Sequence, residues 1–441
     1  MAILKSMRLK NQFTPQTATA IVIANMIGTG VFTSLGYQLV DIDSGFVILL
    51  IWILGGVVAI SGALCYAELG ARLPRSGGEY NFLREIYHPA AGFISGWVSA
   101  TVGFAAPTAL AAITFGAYLA AVFPNLSAKL LATTLVLILT LVHATSHQNS
   151  GRMQNVFTLA KLILIVGFCI AALISVDALQ PVRFTPDVND ISLLTSGGFA
   201  VSLIYVGYAY SGWNAATYLT GELENPSKTL PLILAVGTGV VMLSYVMLNF
   251  VFLSVAPMGA MAGKLEVGYV AATYAFGELG ASLMGITLAL LLISTVSAMI
   301  VAAPRVLQMV GQDFAVFRFL SRVNEHNIPA TAVYFQAGLT LMFLWTASFE
   351  SILVFSGATM ALNSLFAVMG IFILRYRAAK TGQTGASAFH VPLYPLPPVI
   401  FVMLTGATLI YLTIERPLEI IFSVTVMVTG GLAYFATRYW E

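Results

Sequence analysis

The chain has 441 residues, of which 59% are hydrophobic and only 9% charged, where a soluble domain carries about a quarter charged residues. That much apolar surface cannot be hidden in one water-soluble core, so membrane lipid is the natural surrounding. The net charge of +2 is too small for a nucleic-acid binder, and no nucleic-acid partner is expected.

The N-terminal stretch MAILKSMRLKNQFTPQ is basic and polar, without a short apolar segment and cleavage site, so no removable signal peptide is expected. A spanning helix needs about 20 mostly apolar residues. Twelve candidates follow in chain order, at roughly 17–40, 45–70, 91–123, 130–147, 154–178, 193–221, 230–256, 281–310, 330–348, 350–376, 397–414 and 418–437. The third and sixth are long enough to tilt, break or run past the lipid. After span two, ARLPRSGGEYNFLREIYHPA reads as a loop with an interfacial amphipathic piece. After span seven, residues 257–280 hold a short apolar stretch expected to pack over the outer mouth. Cys65 and Cys169 sit inside apolar runs and read as buried hydrophobes, with no disulfide framework.

The distribution of positive charge tests the span count, because one missed span would scramble it. With the N-terminus inside, fifteen Lys and Arg residues fall on the inner side: Lys5, Arg8, Lys10, Arg72, Arg75, Arg84, Arg152, Lys228, Arg305, Arg318, Arg322, Arg375, Arg377, Lys380 and Arg438. Only four, Lys129, Arg183, Lys264 and Arg416, fall outside, and Lys161 lies within a span. An even number of spans with both termini cytoplasmic follows.

Two spans carry signs of interruption. Span one contains Asn25-Met26-Ile27-Gly28-Thr29-Gly30, and span six contains Tyr208-Ala209-Tyr210-Ser211-Gly212-Trp213-Asn214. Glycine costs about 1 kcal/mol relative to alanine inside a helix, so both are places to unwind. Unwound backbone at membrane depth is tolerated only against protein or a water-filled cavity. Breaks five spans apart are the pattern of an inverted-repeat transporter. The half-helix after Gly28–Gly30 would offer free N–H groups and a positive dipole end to a carboxylate. The half-helix ending near Tyr208–Ser211 would offer carbonyls to an ammonium. The same glycines would equally serve as helix-packing faces.

The segments IGTGVFTSLG and ALCYAELGARLPRSGGEYNFLRE resemble the first two spans of the amino acid–polyamine–organocation superfamily. YAYSGWNAATYLTGELENPSKTLP resembles the sixth span and following loop of its L-type amino acid transporter branch. The resemblance implies an all-α polytopic membrane protein of the leucine-transporter type, with helices one and six broken. Two inverted five-helix repeats, about 15–180 and 190–380, would be followed by two extra helices at about 395–438, all in one domain. It implies that Ile27, Gly28, Thr29 and Gly30 hold a substrate carboxylate, and that Tyr208, Ala209 and Ser211 offer carbonyls to its amino group. Tyr208 would be an aromatic gate, and Asn214 would help hold the span-six break. The sequence departs from the family at Asn25 and at GQDFAVFRFL, which replaces the usual arginine–acid–glycine loop after span eight.

Lys161 is the one charge in the apolar run VFTLAKLILIVGF of span five, where an ionisable group costs at least about 2.5–3.5 kcal/mol and is a functional candidate by default. Snorkelling to the inner surface is the structural alternative. By resemblance, its ammonium would occupy the place where sodium-coupled relatives of this fold bind a cation, beside the span-one break and Ser294, Thr295 and Ser297 of span eight. Transport independent of sodium is the consequence. Desolvation disfavours the charged lysine and carbonyl contacts favour it, so proton coupling and a fixed cation both stand.

Other candidates are weaker. Glu68 and Glu222, at span ends, are expected to pair with cytoplasmic arginines; His143 and His147 share a helix face but lack a third ligand, so no metal or other cofactor is expected. The spans provide no further buried carboxylate to meet a cationic side chain, which favours neutral amino acids, and Ala106, Thr108 and Ala109 are small neighbours of the pocket in span three. A cationic amino acid or polyamine exchanger, a non-transporting amino acid sensor and a membrane enzyme are the competing classes. No nucleotide-binding domain, nucleophile–base pair or phosphate loop is visible. No cysteine falls in an outer loop, so no covalent partner subunit is expected, and the chain is expected to act in the plasma membrane with lipid and its small-molecule substrate as partners.

Overall fold

Lipid offers no partner for a free N–H or C=O, so a chain this apolar must close its backbone hydrogen bonds within helices. The computed structural model describes residues 14–75, 77–145, 150–223, 225–325, 328–381 and 389–440. Among them helix is the only regular structure, and the chain is an all-α polytopic membrane protein. Ten of the expected spans are long and apolar enough to cross a bilayer. Of the other two, span nine is the 17-residue helix Ala330–Thr346. Span six is divided into the helix Gly197–Ala209 and the 3-10 helix Ala215–Glu222.

The remaining spans follow the expected order. Span one is Pro15–Met26 plus Gly30–Asp41, span two Gly45–Arg72, and span three Pro89–Val98 with Ala105–Val122 joined by a π-helical turn at Ser99–Gly103. Spans four, five and seven are Ala128–Thr145, Ser150–Ser175 and Pro226–Val255. Span eight ends at Asp313, and spans ten to twelve are Phe349–Thr381, Leu396–Glu415 and Pro417–Trp440. Starts are set by local chemistry: Pro15 and Pro226 occupy first helical positions, and Ser44 and Ser196 cap spans two and six through their hydroxyls.

Spans five places apart in the chain pack together: one with six, two with seven, three with eight, four with nine. Span eleven lies against spans two, six and ten. Large apolar side chains such as Ile163, Ile174, Leu243 and Leu432 point outward, as a lipid-facing surface requires. Inside, Trp52, Tyr66, Phe82 and Phe252 are fully enclosed.

The two connections behave differently from one another. The stretch after span seven does cover the second half of span one: the Gly263 N–H donates to the Gly36 carbonyl, and the Gly268 N–H to the Tyr118 hydroxyl, itself on the Phe32 carbonyl. It turns into span eight at Gly277, whose φ of 71° only glycine adopts cheaply. The piece expected to lie at the interface after span two is instead lodged in the bundle. Its helix Glu79–Ile86 buries Glu79, Phe82 and Ile86, with Phe82 edge-on to Tyr66. His147 and the inner-side lysines and arginine Lys5, Arg8 and Lys10 lie outside the described residues, as do the side chains of Arg152 and Glu222.

Candidate functional site at two broken helices

Span one stops being helical at Ile27 (φ −75°, ψ 81°) and resumes at Gly30. No side chain caps the resumed helix; the Phe32 N–H donates to the Thr29 carbonyl at 3.0 Å, and the N–H groups of Gly30 and Val31 point out of the helix start. Span six stops at Ala209, and Gly212 turns the chain with φ 98° before Asn214 leads into the 3-10 segment. The breaks cross in contact. A Cβ on Gly30 would lie 2.5 Å from Ala209 Cα, and one on Gly212 would lie 2.7 Å from the Asn25 carbonyl oxygen. Glycine is required at both crossings for reasons of space, and at Gly212 for its backbone angle as well. Gly28 has open space before it.

A cavity of about 590 Å³ runs from these breaks, within the usual range for small-molecule sites. Gly28, Thr29, Gly30, Tyr208, Ala209, Ser211 and Asn214 all line it. Tyr208 is buried beside the Thr29 side chain. Ile27 and Lys161 stand behind this wall. The Lys161 ammonium donates to the Ile27 carbonyl at 3.0 Å and to the Thr295 hydroxyl at 2.9 Å, so it reaches inward to the break and does not snorkel. Of the expected span-eight neighbours, Thr295 alone takes the ammonium. Ser294 donates to the Leu291 carbonyl, and Ser297 pairs with His143. Among the described residues no group of three His, Cys, Asp or Glu could hold a metal.

Span three approaches the cavity through Ser99, Gly103, Phe104, Pro107 and Ala111. Ala106, Thr108 and Ala109, expected as pocket neighbours, are packed away from it; the π-turn at Ser99–Gly103 rotates the helix face presented.

Two residues of the site were not singled out from sequence. The Tyr245 hydroxyl, from span seven, lies 2.6 Å from the Met26 carbonyl and 3.2 Å from the Ala209 carbonyl, and so touches both breaks. Glu79, from the lodged helix, lines the cavity and is 2% exposed. It accepts from Tyr66 at 3.0 Å, from Tyr218 at 2.6 Å and from Asn214. Asn214 therefore meets a buried carboxylate that comes from the helix lodged between spans two and three and from no span. The polar run SGGEY reads as loop, and only folding brings it under span six. Glu68 pairs with Arg72 at 2.9 Å and with Arg375 at 2.6 Å, and accepts the Val391 N–H.

Past Glu79 and Tyr80 the cavity reaches the exposed Arg305. At the opposite end Tyr37 stacks on Phe349 at 5.7 Å, and Glu350 binds the Tyr205 hydroxyl at 2.7 Å and Arg416. Those contacts join spans one, six and ten and the turn before span twelve.

Fold and site together define a polytopic membrane protein with a central cavity between two interrupted helices. Residues 13–434 match the amino acid permease family model, and the chain belongs to that family, within the amino acid–polyamine–organocation superfamily. It is 26% identical to the b(0,+)-type amino acid transporter 1 of Mus musculus, over 99% of this chain and 90% of that protein. It is 28% identical to the large neutral amino acids transporter small subunit 2 of Rattus norvegicus, over 98% of this chain and 82% of that one. It is 27% identical to the serine/threonine exchanger SteT of Bacillus subtilis, over 94% of each. Amino acid transport is common to all three names, and family membership marks a transporter in place of an enzyme. The rat relative is a small subunit by name, so it lends no support to the expectation of a chain that acts without a partner.

Proposed function

We propose that this protein exchanges neutral amino acids across the plasma membrane by alternating access, without sodium. The N–H groups at Thr29 and Gly30 hold the carboxylate, with Gly28, whose own N–H turns back onto the Met26 carbonyl at 2.8 Å, lining the site and Ile27 behind them. The carbonyls of Tyr208, Ala209 and Ser211 hold the ammonium, Tyr208 closes over the substrate, and Asn214 supports the break. Lys161 acts as a fixed cation on the span-one break. The observation that carries this reading is the crossing of the two breaks at Gly30 and Ala209, which brings a donor end and an acceptor end to one cavity. A zwitterion with charges on adjacent groups fits that pair of ends.

The pairing of spans two with seven, three with eight and four with nine supports two inverted repeats, about 15–180 and 190–380, plus two extra helices. The cavity mouth lies at the end carrying Arg72, Arg305 and Arg375, which supports an inward-facing form with cytoplasmic termini. Both cysteines are buried, which supports the absence of a disulfide-linked partner. Glu79 favours a second reading, in which a cationic side chain or polyamine meets its carboxylate along the cavity.

Uptake of a radiolabelled amino acid panel into proteoliposomes tests both readings. Loaded vesicles should take up neutral amino acids much faster than empty ones, with no change when sodium replaces potassium. Sodium-stimulated uptake, or competition by arginine and amines but not by neutral amino acids, contradicts the first reading.

A further inference from the structure

In its second half, span ten turns one face away from the bundle. Phe366, Met369 and Tyr376 are exposed there, and Ile373 is half-buried. Their spacing of three or four residues puts them on one side of the helix, and Lys380 continues that side one turn further. Along its length the face therefore reads apolar, then a phenol that is 70% exposed, then an ammonium. Phe366 and Lys380 are about 21 Å apart at 1.5 Å per residue. A hydrocarbon leaflet is about 15 Å deep, so the face runs from within the acyl layer to headgroup depth.

Charge at that end of the helix has one sign. Between Glu350 and Glu415 the sequence holds no acid, while Arg375, Arg377 and Lys380 all fall there. Glu68, which reaches span ten from span two, is engaged by Arg72, by Arg375 and by the Val391 N–H. Glu85, on the lodged helix beside span ten, lies 3.9 Å from Arg84. Arg377 and Lys380 are both exposed, and Lys380 meets no carboxylate among the described residues.

We propose that this face of span ten is a binding site for one anionic phospholipid, in the leaflet at the cavity-mouth end. An acyl chain lies along Phe366, Met369 and Ile373, the Tyr376 ring sits at the depth of the glycerol, and Lys380 and Arg377 meet the phosphate. The cations select an acidic headgroup, and the apolar face selects a lipid over a free phosphate. Gly357, Ala361 and Ser364, on the other side of the same helix, line the cavity. A lipid seated here braces a cavity wall from outside without entering the cavity.

Native mass spectrometry of the purified protein, titrated with phosphatidylglycerol or with phosphatidylcholine of the same chains, tests this. The wild type should bind one phosphatidylglycerol about thirtyfold more tightly than phosphatidylcholine, the share of two cations near an anionic headgroup. In the double variant Arg377→Gln, Lys380→Gln the two lipids should bind within about twofold of each other, since no cation is left to discriminate. Lys228→Gln with Arg318→Gln removes two exposed charges elsewhere at the same end and should keep the preference. A double variant that keeps the preference overturns the proposal, as does a control pair that loses it equally. Within a bilayer, Met369→Trp adds a fluorophore to the apolar stretch. In phosphatidylcholine nanodiscs, a small fraction of chain-brominated phosphatidylglycerol should quench that added fluorescence well beyond its bulk share, and Lys380→Gln should relieve the excess. Quenching in simple proportion to bulk composition overturns the proposal without any charge variant. Soluble glycerol phosphate should leave the quenching unchanged; relief by it would show a free-phosphate site and contradict the lipid assignment.

Discussion

Lys161 and Tyr245 both reach carbonyls at the span-one break, one with an ammonium and the other with a hydroxyl. Lys161 joins the Ile27 carbonyl to Thr295 of span eight, while Tyr245 joins the adjacent Met26 carbonyl to span six. The first tie fixes the break to its scaffold; the second fixes the two breaks to each other. Their chemistry differs accordingly. A hydrogen bond to a charged group is worth about 1.5–3 kcal/mol and one between neutral groups about 0.5–1.5. A buried ammonium also brings a desolvation cost that only full partnering offsets, which makes the lysine the less replaceable of the two.

Overfilling the crossing of the two breaks has the largest expected effect. Gly30→Ala sets a methyl 2.5 Å from Ala209 Cα, and backbone cannot yield as a flexible side chain can. Equilibrium binding of the best neutral substrate should fall beyond detection in a protein that still elutes as a single species; retained affinity would mean the crossing is not the site. Next comes Lys161→Met, which strips the Ile27 carbonyl and Thr295 of their donor. About a hundredfold loss in kcat/KM is expected from two charge-assisted contacts, and an effect no larger than that of Tyr245→Phe would erase the contrast between the ties.

Glu79→Gln probes the floor below them. Its carboxylate gathers Tyr66, Tyr218 and Asn214, away from the proposed carboxylate and amine contacts. A glutamine keeps the shape but weakens those bonds, so kcat should drop several-fold with KM for neutral substrates unchanged, the loss of part of a charge-assisted network. Should KM for arginine alone respond, the cationic reading gains. The smallest effects belong to Ser294→Ala and Ser297→Ala. Their hydroxyls bond Leu291 and His143 instead of Lys161, so transport should stay within about twofold, as for substitutions outside a shared network.

What the sequence discloses follows a physical rule. Span positions and both breaks are local properties: hydropathy marks Gly45–Arg72 as a span, and the glycines of Gly28–Gly30 and Gly212 mark where helix is weakest. Lys161 stands out because an ammonium in an apolar run must either snorkel to the surface or find a buried partner. Tyr245 and Glu79 left no such trace. A tyrosine in an apolar helix ordinarily packs, and a glutamate in a polar run ordinarily meets water. Each meets partners far away in sequence, Ala209 and Met26 for one, Asn214 and Tyr218 for the other. The π-turn at Ser99–Gly103 is a third case, since nothing in SATVG signals the rotation that turns Phe104 and Pro107 toward the cavity.

The central claim is that two facing breaks read both charges of one zwitterion. Calorimetric binding to the purified protein tests it directly, using a neutral amino acid, the matching amine without a carboxylate, and the matching acid without an amine. Each deletion should weaken binding at least about a hundredfold, because each leaves one helix end unpaired against a lost charge-assisted contact. An amine or an acid that binds as tightly as the amino acid would contradict the claim.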